Sequence, residues 1–125
     1  MNYLMVHAPA KNLEHSILFY ESLDFVKSAD EMDGNGNRCV RLKHLEFPQV
    51  IFNLNYISSL SQVPKVISPN EVSFTFVVED PWAWMMKLEN VNALIKRKII
   101  EPWGIWIYFR DPNHNLICIT SRDIW

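Results

Sequence analysis

The side chains that could hold a metal ion or act as nucleophiles are few and far apart in this chain. The histidines are His7, His15, His44 and His114, and the cysteines are Cys39 and Cys118. Their spacing does not match that of metal-ligand motifs, in which ligands recur within a few residues of one another. Both cysteines lie in apolar, strand-like runs, which predicts free, buried and reduced thiols. A nucleophilic Cys118 is an alternative, although no base lies beside it in the sequence.

Carboxylates that could serve as general acids or bases are also isolated. Glu101 precedes a Pro-Trp-Gly sequence, and Asp30 and Glu31 lie near a predicted strand end. Carboxylates in such places are expected to be solvated surface groups. The chain has 3 glycines, which form neither a phosphate-binding loop nor a nucleophile elbow. The sequence therefore predicts no catalytic residue.

Aromatic side chains are the more informative group. The run from Ile105 to Arg110 alternates, so that Trp106 and Tyr108 share one face of a predicted strand. Trp103 lies just before this run. Their flat rings are suited to stacking on a planar or cationic ligand. The alternative is that these rings pack inside the protein or in a dimer interface.

The elements that must position these side chains form two copies of a β-α-β-β-β unit. Strands are predicted at 3–8, 25–31, 38–43, 50–56, 72–78, 105–110 and 116–120, and helices at 12–23 and 82–89. Pro9 is expected to end the first strand, and a further strand is expected to start at Ile99, after a solvated loop at 96–98. The helix caps Asn12 and Asp80 lie 68 positions apart in the sequence. This offset predicts a single domain with a first repeat at about 1–57, a connection at about 58–70 and a second repeat at about 71–125.

In each unit the helix covers one face of the sheet, so strand alternation assigns the remaining side chains to an open face. In the fifth strand Phe74, Phe76 and Val78 are expected to face the helix, which leaves Ser73 and Thr75 on the open side. Polar side chains are tolerated there if water or a ligand reaches them. The same alternation places Tyr3, Val77, Arg110 and Thr120 on the open side. The predicted ligand-binding residues are Met5, His7, Asn53, Asn55, Ser73, Thr75, Trp103, Trp106, Tyr108 and Cys118.

Three motifs resemble the vicinal oxygen chelate superfamily, which includes glyoxalase I, extradiol dioxygenases, fosfomycin-resistance thiol transferases and bleomycin-resistance proteins. Asp111-Pro112-x-His114-Asn115 resembles Asp-Pro-x-Gly-Asn, with His114 where the turn calls for a left-handed residue. Phe19-Tyr20-x-x-Leu23-Asp24-Phe25 resembles Phe-Tyr-x-x-Leu-Gly-Phe, with Asp24 replacing the glycine that caps the helix. Pro102-Trp103-Gly104 is most similar to the bleomycin-resistance branch. The resemblance implies an α+β fold in which the two units curl into a half-open barrel with a concave site.

The resemblance also implies where a metal would be held in the metal-dependent members. The histidine positions fall at Met5 and Ser73, and the carboxylate positions at Asn53, or Phe52 in a shifted register, and Cys118. None of these is a histidine or a carboxylate, which are the ligands that divalent ions of this class require. No metal or other cofactor is therefore predicted. His7 is expected to share a face with Met5.

The leading hypothesis is a metal-free small-molecule binding protein that sequesters a planar or cationic drug or metabolite in a concave, aromatic-lined pocket. The resemblance implies a homodimer. The alternative is a glyoxalase- or dioxygenase-type metalloenzyme with an irregular ligand set of His7, Glu101 and Cys118. A third hypothesis is an interaction module whose exposed tryptophans bind a protein partner.

Composition and charge limit the partners and locations that these hypotheses allow. The chain has 125 residues, 49% of them hydrophobic, and a formal net charge of −2. It is long enough to bury a hydrophobic core. The charge argues against nucleic acid or an anionic membrane as a partner. No signal peptide or membrane span is recognised, so a cytoplasmic protein is expected.

Overall fold

The computed structural model of the protein describes residues 2–32, 34, 36–57 and 72–121. The chain forms two compact units, Met1–Val66 and Ile67–Trp125. The first unit contains β1 (Leu4–Ala10), α1 (Leu13–Glu21), β2 (Val26–Met32), β3 (Arg38–Lys43) and β4 (Val50–Tyr56). The second contains β5 (Phe74–Val78), α2 (Pro81–Asn90), β6 (Leu94–Glu101), β7 (Gly104–Arg110) and β8 (Leu116–Ser121). The predicted α+β class and the repeated β-α-β-β-β order are confirmed.

The sheet of the first unit has the strand order β1-β4-β3-β2. β1 pairs with β4 in parallel, and the other pairs are antiparallel. An aromatic cluster fills the space between α1 and the sheet: the Tyr20 ring centroid lies 4.8 Å from that of Phe52 and 5.6 Å from that of Phe25. The core of this unit therefore depends on three rings contributed by the helix, β4 and the segment between α1 and β2.

The sheet of the second unit repeats this topology in the order β5-β8-β7-β6, with β5 parallel to β8. Its helix contributes Trp84 and Leu88 to the core, and the Trp84 ring stacks on Phe76 at 6.0 Å. Trp82 is 45% exposed, whereas Trp84 is 2% exposed. Residues two apart on a helix point about 200° away from each other, so only one of these two tryptophans faces the core.

The start of each helix confirms the predicted capping. The Asn12 side chain accepts a hydrogen bond from the His15 N–H, and the Asp80 side chain accepts one from the Ala83 N–H, both at 3.1 Å. Pro81 occupies the first helical position of α2, where its missing N–H has no partner to lose. These contacts satisfy amide groups that the helix itself leaves unpaired.

Residues with left-handed backbone follow each helix at equivalent positions. Asp24 has φ 72° and Asn92, which lies 68 positions later, has φ 54°. Beyond them, Phe25 donates a backbone hydrogen bond to the Tyr20 carbonyl, and Ala93 donates one to Leu88. The same offset that relates the N-caps therefore also relates the helix C-termini.

The turn between β7 and β8 has the predicted left-handed residue, because His114 has φ 66°. Asp111 organises this turn. Its Oδ1 accepts hydrogen bonds at 2.9 Å from the N–H groups of Asn113 and Asn115, and its Oδ2 accepts one at 2.9 Å from the Asn115 side chain. The buried carboxylate of Asp111 is thus fully engaged in holding the hairpin.

Two strand boundaries predicted from the sequence are wrong. β1 continues through Pro9 to Ala10, because β1 is an edge strand and a proline there costs no hydrogen bond to a neighbour. β6 begins at Leu94, not Ile99, so the basic run at 96–98 is part of a strand. A register shift between Ile95 and Arg97 breaks the alternation that would have indicated the strand. The predicted connection at 58–70 lies outside the described residues.

Candidate ligand-binding faces

The face of the first sheet that points away from α1 carries polar side chains; we call it the first open face. In register, His7 lies opposite Asn53, and Asn53 lies opposite Arg41. Asn55 is flanked by Pro9 and Cys39. Alternate residues of the same strands, such as Phe52 and Leu54, are buried on the α1 side. The residues of the first open face are Met5, His7, Cys39, Arg41, Ile51, Asn53 and Asn55.

Four of these side chains form one hydrogen-bond network. The Nδ2 atoms of Asn53 and Asn55 both lie 3.2 Å from His7 Nδ1. Asn53 Nδ2 also donates to Asn55 Oδ1 at 2.8 Å, and the Cys39 thiol donates to Asn53 Oδ1 at 3.4 Å. Because an amide NH₂ group can only donate, Nδ1 of His7 is the acceptor and the ring proton lies on Nε2. The network therefore presents an N–H donor of His7 for further contacts.

Arg41 is a part of this face that the sequence analysis missed. Its Nε is buried and has no hydrogen-bond partner among the described residues, while one terminal nitrogen lies 3.8 Å from Glu31 Oε2. The alternation in β3, where Val40 and Leu42 are buried, would have placed Arg41 on the open side. A buried N–H donor without an acceptor is unfavourable unless a ligand or water supplies one.

The second open face is the side of the second sheet that points away from α2. Tyr108 lies opposite Cys118, which in turn lies opposite Thr75. Trp106 lies between Ile99 and Thr120 in register. Ser73 precedes β5, and its N–H donates a 2.7 Å hydrogen bond to the Leu116 carbonyl. The residues of the second open face are Thr75, Val77, Arg97, Ile99, Glu101, Trp106, Tyr108, Arg110, Leu116, Cys118 and Thr120.

Thr120 stands out on this face because it is fully buried yet unsatisfied. The residue has 0% exposure, and its Oγ1 has no hydrogen-bond partner among the described residues. Within the described part of the chain, Thr120 Oγ1 and Arg41 Nε are the buried side-chain nitrogen and oxygen atoms without partners. Each lies on an open face and neither lies in a helix-packed core.

Cys118 does not have the properties of a nucleophile. It is 3% exposed, and burial raises the pKa of its thiol, although a hydrogen bond from Tyr108 works in the opposite direction. Burial, followed by the neighbouring Cys118, also raises the pKa of Tyr108. The thiol is therefore protonated at neutral pH, whereas the thiolate is the reactive form. This favours the interpretation of Cys118 as a buried, unreactive side chain.

The structure separates Trp103 from Trp106 and Tyr108. Trp103 lies in the turn between β6 and β7 and is 67% exposed. It lines a cleft with Trp82 from the start of α2, and Glu101 lines the same cleft. The tryptophan pair in this cleft involves residues from two elements, so the local sequence around the hairpin does not reveal it.

Known proteins resemble this chain in structure. No family profile and no curated protein sequence matches it. The antibiotic-binding protein TnmS3 from Streptomyces sp. CB03234 superposes with a TM-score of 0.72 at 19% identity, over 97% of this chain and 95% of that one. A glyoxalase/bleomycin resistance protein from the same Streptomyces strain gives 0.69 at 19% identity, over 94% and 98%. The fosfomycin resistance protein FosX from Listeria monocytogenes gives 0.68 at 13% identity, over 97% and 90%.

This chain has the glyoxalase/bleomycin-resistance fold. The superpositions cover almost all of each chain, and the described element order is the one that the resemblance implied. No helix in the described ranges is long and apolar enough to cross a membrane.

The FosX structure contains Mn(II). In this chain, the residues at the ligand positions that the resemblance implies do not fit a metal ion. The positions implied by the resemblance carry the thioether of Met5, the amide of Asn53, the hydroxyl of Ser73 and the protonated thiol of Cys118. These are poor ligands for a divalent ion. Among the described residues, no group of three or more histidine, cysteine, aspartate or glutamate side chains could hold a metal ion.

The alternative metal site formed by His7, Glu101 and Cys118 requires Glu101 and Cys118 to lie close together in the second unit. Cys118 pairs with Tyr108, whereas Glu101 pairs with Gly104. Four residues along β7 span about 13 Å. Ligands of one metal ion lie only about 2.0–2.6 Å from it. Glu101 and Cys118 are therefore too far apart along the sheet to share an ion.

Proposed function

We propose that this protein binds a planar small molecule on its open sheet faces without catalysing a reaction. The observation that carries the proposal is the position of the two unsatisfied buried atoms, Arg41 Nε and Thr120 Oγ1, on those faces. A buried polar atom without a partner is unfavourable, and a ligand with a matching polar atom pairs it. A purely structural face would gain stability by replacing them with apolar groups.

The chemistry of the second open face favours a planar compound that carries hydrogen-bond acceptors. Trp106 and Tyr108 are half-buried on neighbouring positions of one face, where an indole and a phenol offer flat surfaces for stacking. In register, the arginines of this face are Arg97 beside Tyr108 and Arg110 beside Leu116, and they outnumber the one carboxylate, Glu101, at the end of β6. A neutral or anionic planar ligand is therefore favoured over a cation here.

The first open face is suited to polar contacts. The His7 Nε2–H and the Arg41 Nε–H are donors, so carbonyl, carboxylate or phosphate oxygens of a ligand are the expected acceptors. Met5 is 38% exposed and offers a polarisable apolar contact beside them. Asn53 and Asn55 orient His7, and we assign them a positioning role.

The solved structures of the same fold support an antibiotic or a similar secondary metabolite as the ligand class. TnmS3 is an antibiotic-binding protein, and FosX confers fosfomycin resistance. We propose that this chain, like an antibiotic-binding protein, binds and sequesters its small molecule without changing it. Two observations favour this role: the positions implied for metal ligands do not fit a metal ion, and the Cys118 thiol is protonated.

The test is the binding of anthraquinone-2-sulfonate, which is planar, anionic and rich in acceptor oxygens, by isothermal titration calorimetry. Trp106→Ala should weaken binding about tenfold or more, because stacking and apolar burial together contribute on the order of 1.5–3 kcal/mol. Trp82→Ala, which removes an exposed tryptophan away from the open faces, is the matched control and should leave affinity unchanged.

Thr120→Val extends the same experiment. The substitution keeps the shape and removes the unsatisfied hydroxyl, so the free energy of unfolding of the ligand-free protein should rise by about 1 kcal/mol. Affinity for the probe should fall at the same time. Equal affinity of the wild type, Trp106→Ala and Thr120→Val for the probe would contradict the proposed site. A loss of affinity in Trp82→Ala as large as that in Trp106→Ala would also contradict it.

We also propose that the protein is a homodimer, as the resemblance implied. At the start of the edge strand β1, apolar side chains are exposed to solvent: Tyr3, just before the strand, is 53% exposed, and Leu4, its first residue, is 63% exposed. Exposed apolar side chains indicate an interaction surface, and in a symmetric dimer the same surface of a second copy covers them. Native mass spectrometry should show a dimer that Leu4→Lys shifts toward monomer. A monomer at every accessible concentration would reject the dimer and leave the ligand site untouched.

A further inference from the structure

A concave site lies at one end of the second sheet, and the proposed function does not use it. It is a cleft of about 330 Å³ formed by the start of α2, the turn between β6 and β7, and the last residue of β8. Trp106, which defines the second open face, is not among its lining residues. The cleft is therefore a separate candidate site.

Two indole rings line this cleft while remaining in contact with solvent. Trp82 is 45% exposed and Trp103 is 67% exposed. Single exposed apolar residues are common on protein surfaces, but two tryptophans in one concavity form a concentrated aromatic surface. The electron-rich faces of indole rings attract cations more strongly than those of other aromatic side chains.

The charges around the cleft are negative. Glu79, Asp80 and Glu101 line it, and none of its described lining residues is a lysine, an arginine or a histidine. The N-terminus of α2 contributes about half a positive charge, and Asp80 offsets it by accepting the Ala83 N–H. The carboxylates of Asp80 and Glu101 together outweigh that contribution, so the cleft favours a positively charged occupant.

We propose that this cleft binds a small organic cation, an alkylated ammonium group, between Trp82 and Trp103. A metal ion is a poorer occupant, because among the described residues no three carboxylates, imidazoles or thiolates converge closely enough to hold one. An alkylated ammonium group needs no such convergence, since it is weakly hydrated, is attracted by aromatic faces and is balanced by carboxylates at longer range. The cleft and the open faces thus bind ligands of different charge.

The experiment compares choline with its uncharged isostere 3,3-dimethyl-1-butanol by NMR titration of the tryptophan indole N–H resonances in the full chain. Choline should shift the Trp82 and Trp103 resonances and leave that of Trp106 in place. The isostere should cause no saturable shift. Trp103→Ala and Glu101→Gln should each weaken choline binding about fivefold, as expected for a lost cation–π contact or a lost charge.

Glu89→Gln is the matched control, because it removes the same charge at the opposite end of α2, where Glu89 pairs with Lys98 at 3.3 Å. It should leave choline affinity unchanged, and unshifted core resonances of Trp84 verify that each variant is folded. Equal binding of choline and its isostere, no binding of either, or equal effects of Glu101→Gln and Glu89→Gln would overturn the proposal. Trp106→Ala should not affect choline binding, so the outcome is independent of the ligand on the open faces.

Discussion

Individual side chains of this protein divide into those that complete the fold and those that the fold leaves unsatisfied. His44 belongs to the first group: its Nε2 lies 2.9 Å from the Leu23 carbonyl and its Nδ1 accepts the Glu46 N–H at 3.1 Å. Both ring nitrogens are used, so this buried histidine is structural. Arg41 and Thr120 belong to the second group. The contrast explains why histidine content alone does not point to the faces proposed to bind a ligand.

Arg38 connects the edge of the first sheet to α1. It donates hydrogen bonds to both oxygens of Asp30, at 2.8 and 2.6 Å, and to Glu14 of the helix. The Arg38 guanidinium holds the pKa of Asp30 at about 2, below its usual 3.8. These contacts lie on the surface, where solvent weakens the interaction.

The Asp30 carboxylate makes stability depend on pH in a defined window. Because its pKa is lower in the folded state, its stabilising contribution is present above pH 3.8 and is lost as pH falls toward about 2. Asp30→Asn should therefore lose less stability than the wild type between these values, as measured by urea unfolding at a series of pH values. Arg38→Met should show the same flattening. An unchanged difference between wild type and Asp30→Asn across the window would contradict the prediction.

Among the structural elements, each helix is followed by a non-glycine residue with left-handed backbone, a conformation that usually favours glycine. Asp24 and Asn92 adopt left-handed backbone, which glycine adopts without steric cost. Ser22, two residues before Asp24, has ordinary helical φ of −67°. The strain therefore lies at one residue of each helix terminus.

Asp24→Gly should raise the free energy of unfolding by about 0.5–1 kcal/mol, because relief of the left-handed conformation exceeds the added entropy of the unfolded chain. Urea unfolding monitored by circular dichroism measures the change. Ser22→Gly is the control and should instead lower stability by about 0.5–1 kcal/mol, since glycine is unfavourable at a right-handed helical position. The same sign for both variants would show that backbone conformation is not the cause.

Across the whole molecule, the two units share one framework but fill it differently. Residues 68 positions apart occupy equivalent helix positions: Leu18 and Met86 are exposed by 67% and 64%. Ser16 and Trp84 are also equivalent, and both are buried. The first unit therefore packs around Tyr20 and its ring neighbours, whereas the second packs around Trp84.

Phe52→Ala and Trp84→Ala should each lower the free energy of unfolding by about 3–5 kcal/mol, because each removes a buried ring from the core of a unit and leaves a cavity. Leu18→Ala and Met86→Ala at the exposed equivalent positions should change it by less than about 0.5 kcal/mol. Urea titration of all four variants tests this. If Leu18→Ala and Met86→Ala lowered the free energy of unfolding by a comparable amount, those side chains would be covered in the native assembly.

The sequence by itself determined the fold class, the repeat and the helix caps, because these follow from local signals: periodicity, capping residues and turn residues such as His114. It also placed His7, Asn53, Trp106 and Tyr108 on open faces, since alternation along a strand is a local property. It failed at β6, where an irregular, charged edge strand hides the alternation.

Only the tertiary structure decided which side chains meet. The network that links Asn53, Asn55 and His7 joins strands that are far apart in sequence, and the cleft of Trp82 and Trp103 joins a helix to a hairpin. Which atoms stay unsatisfied, as in Arg41 and Thr120, depends on every neighbour in three dimensions. Local patterns carry no information on such contacts, because packing between distant segments creates them.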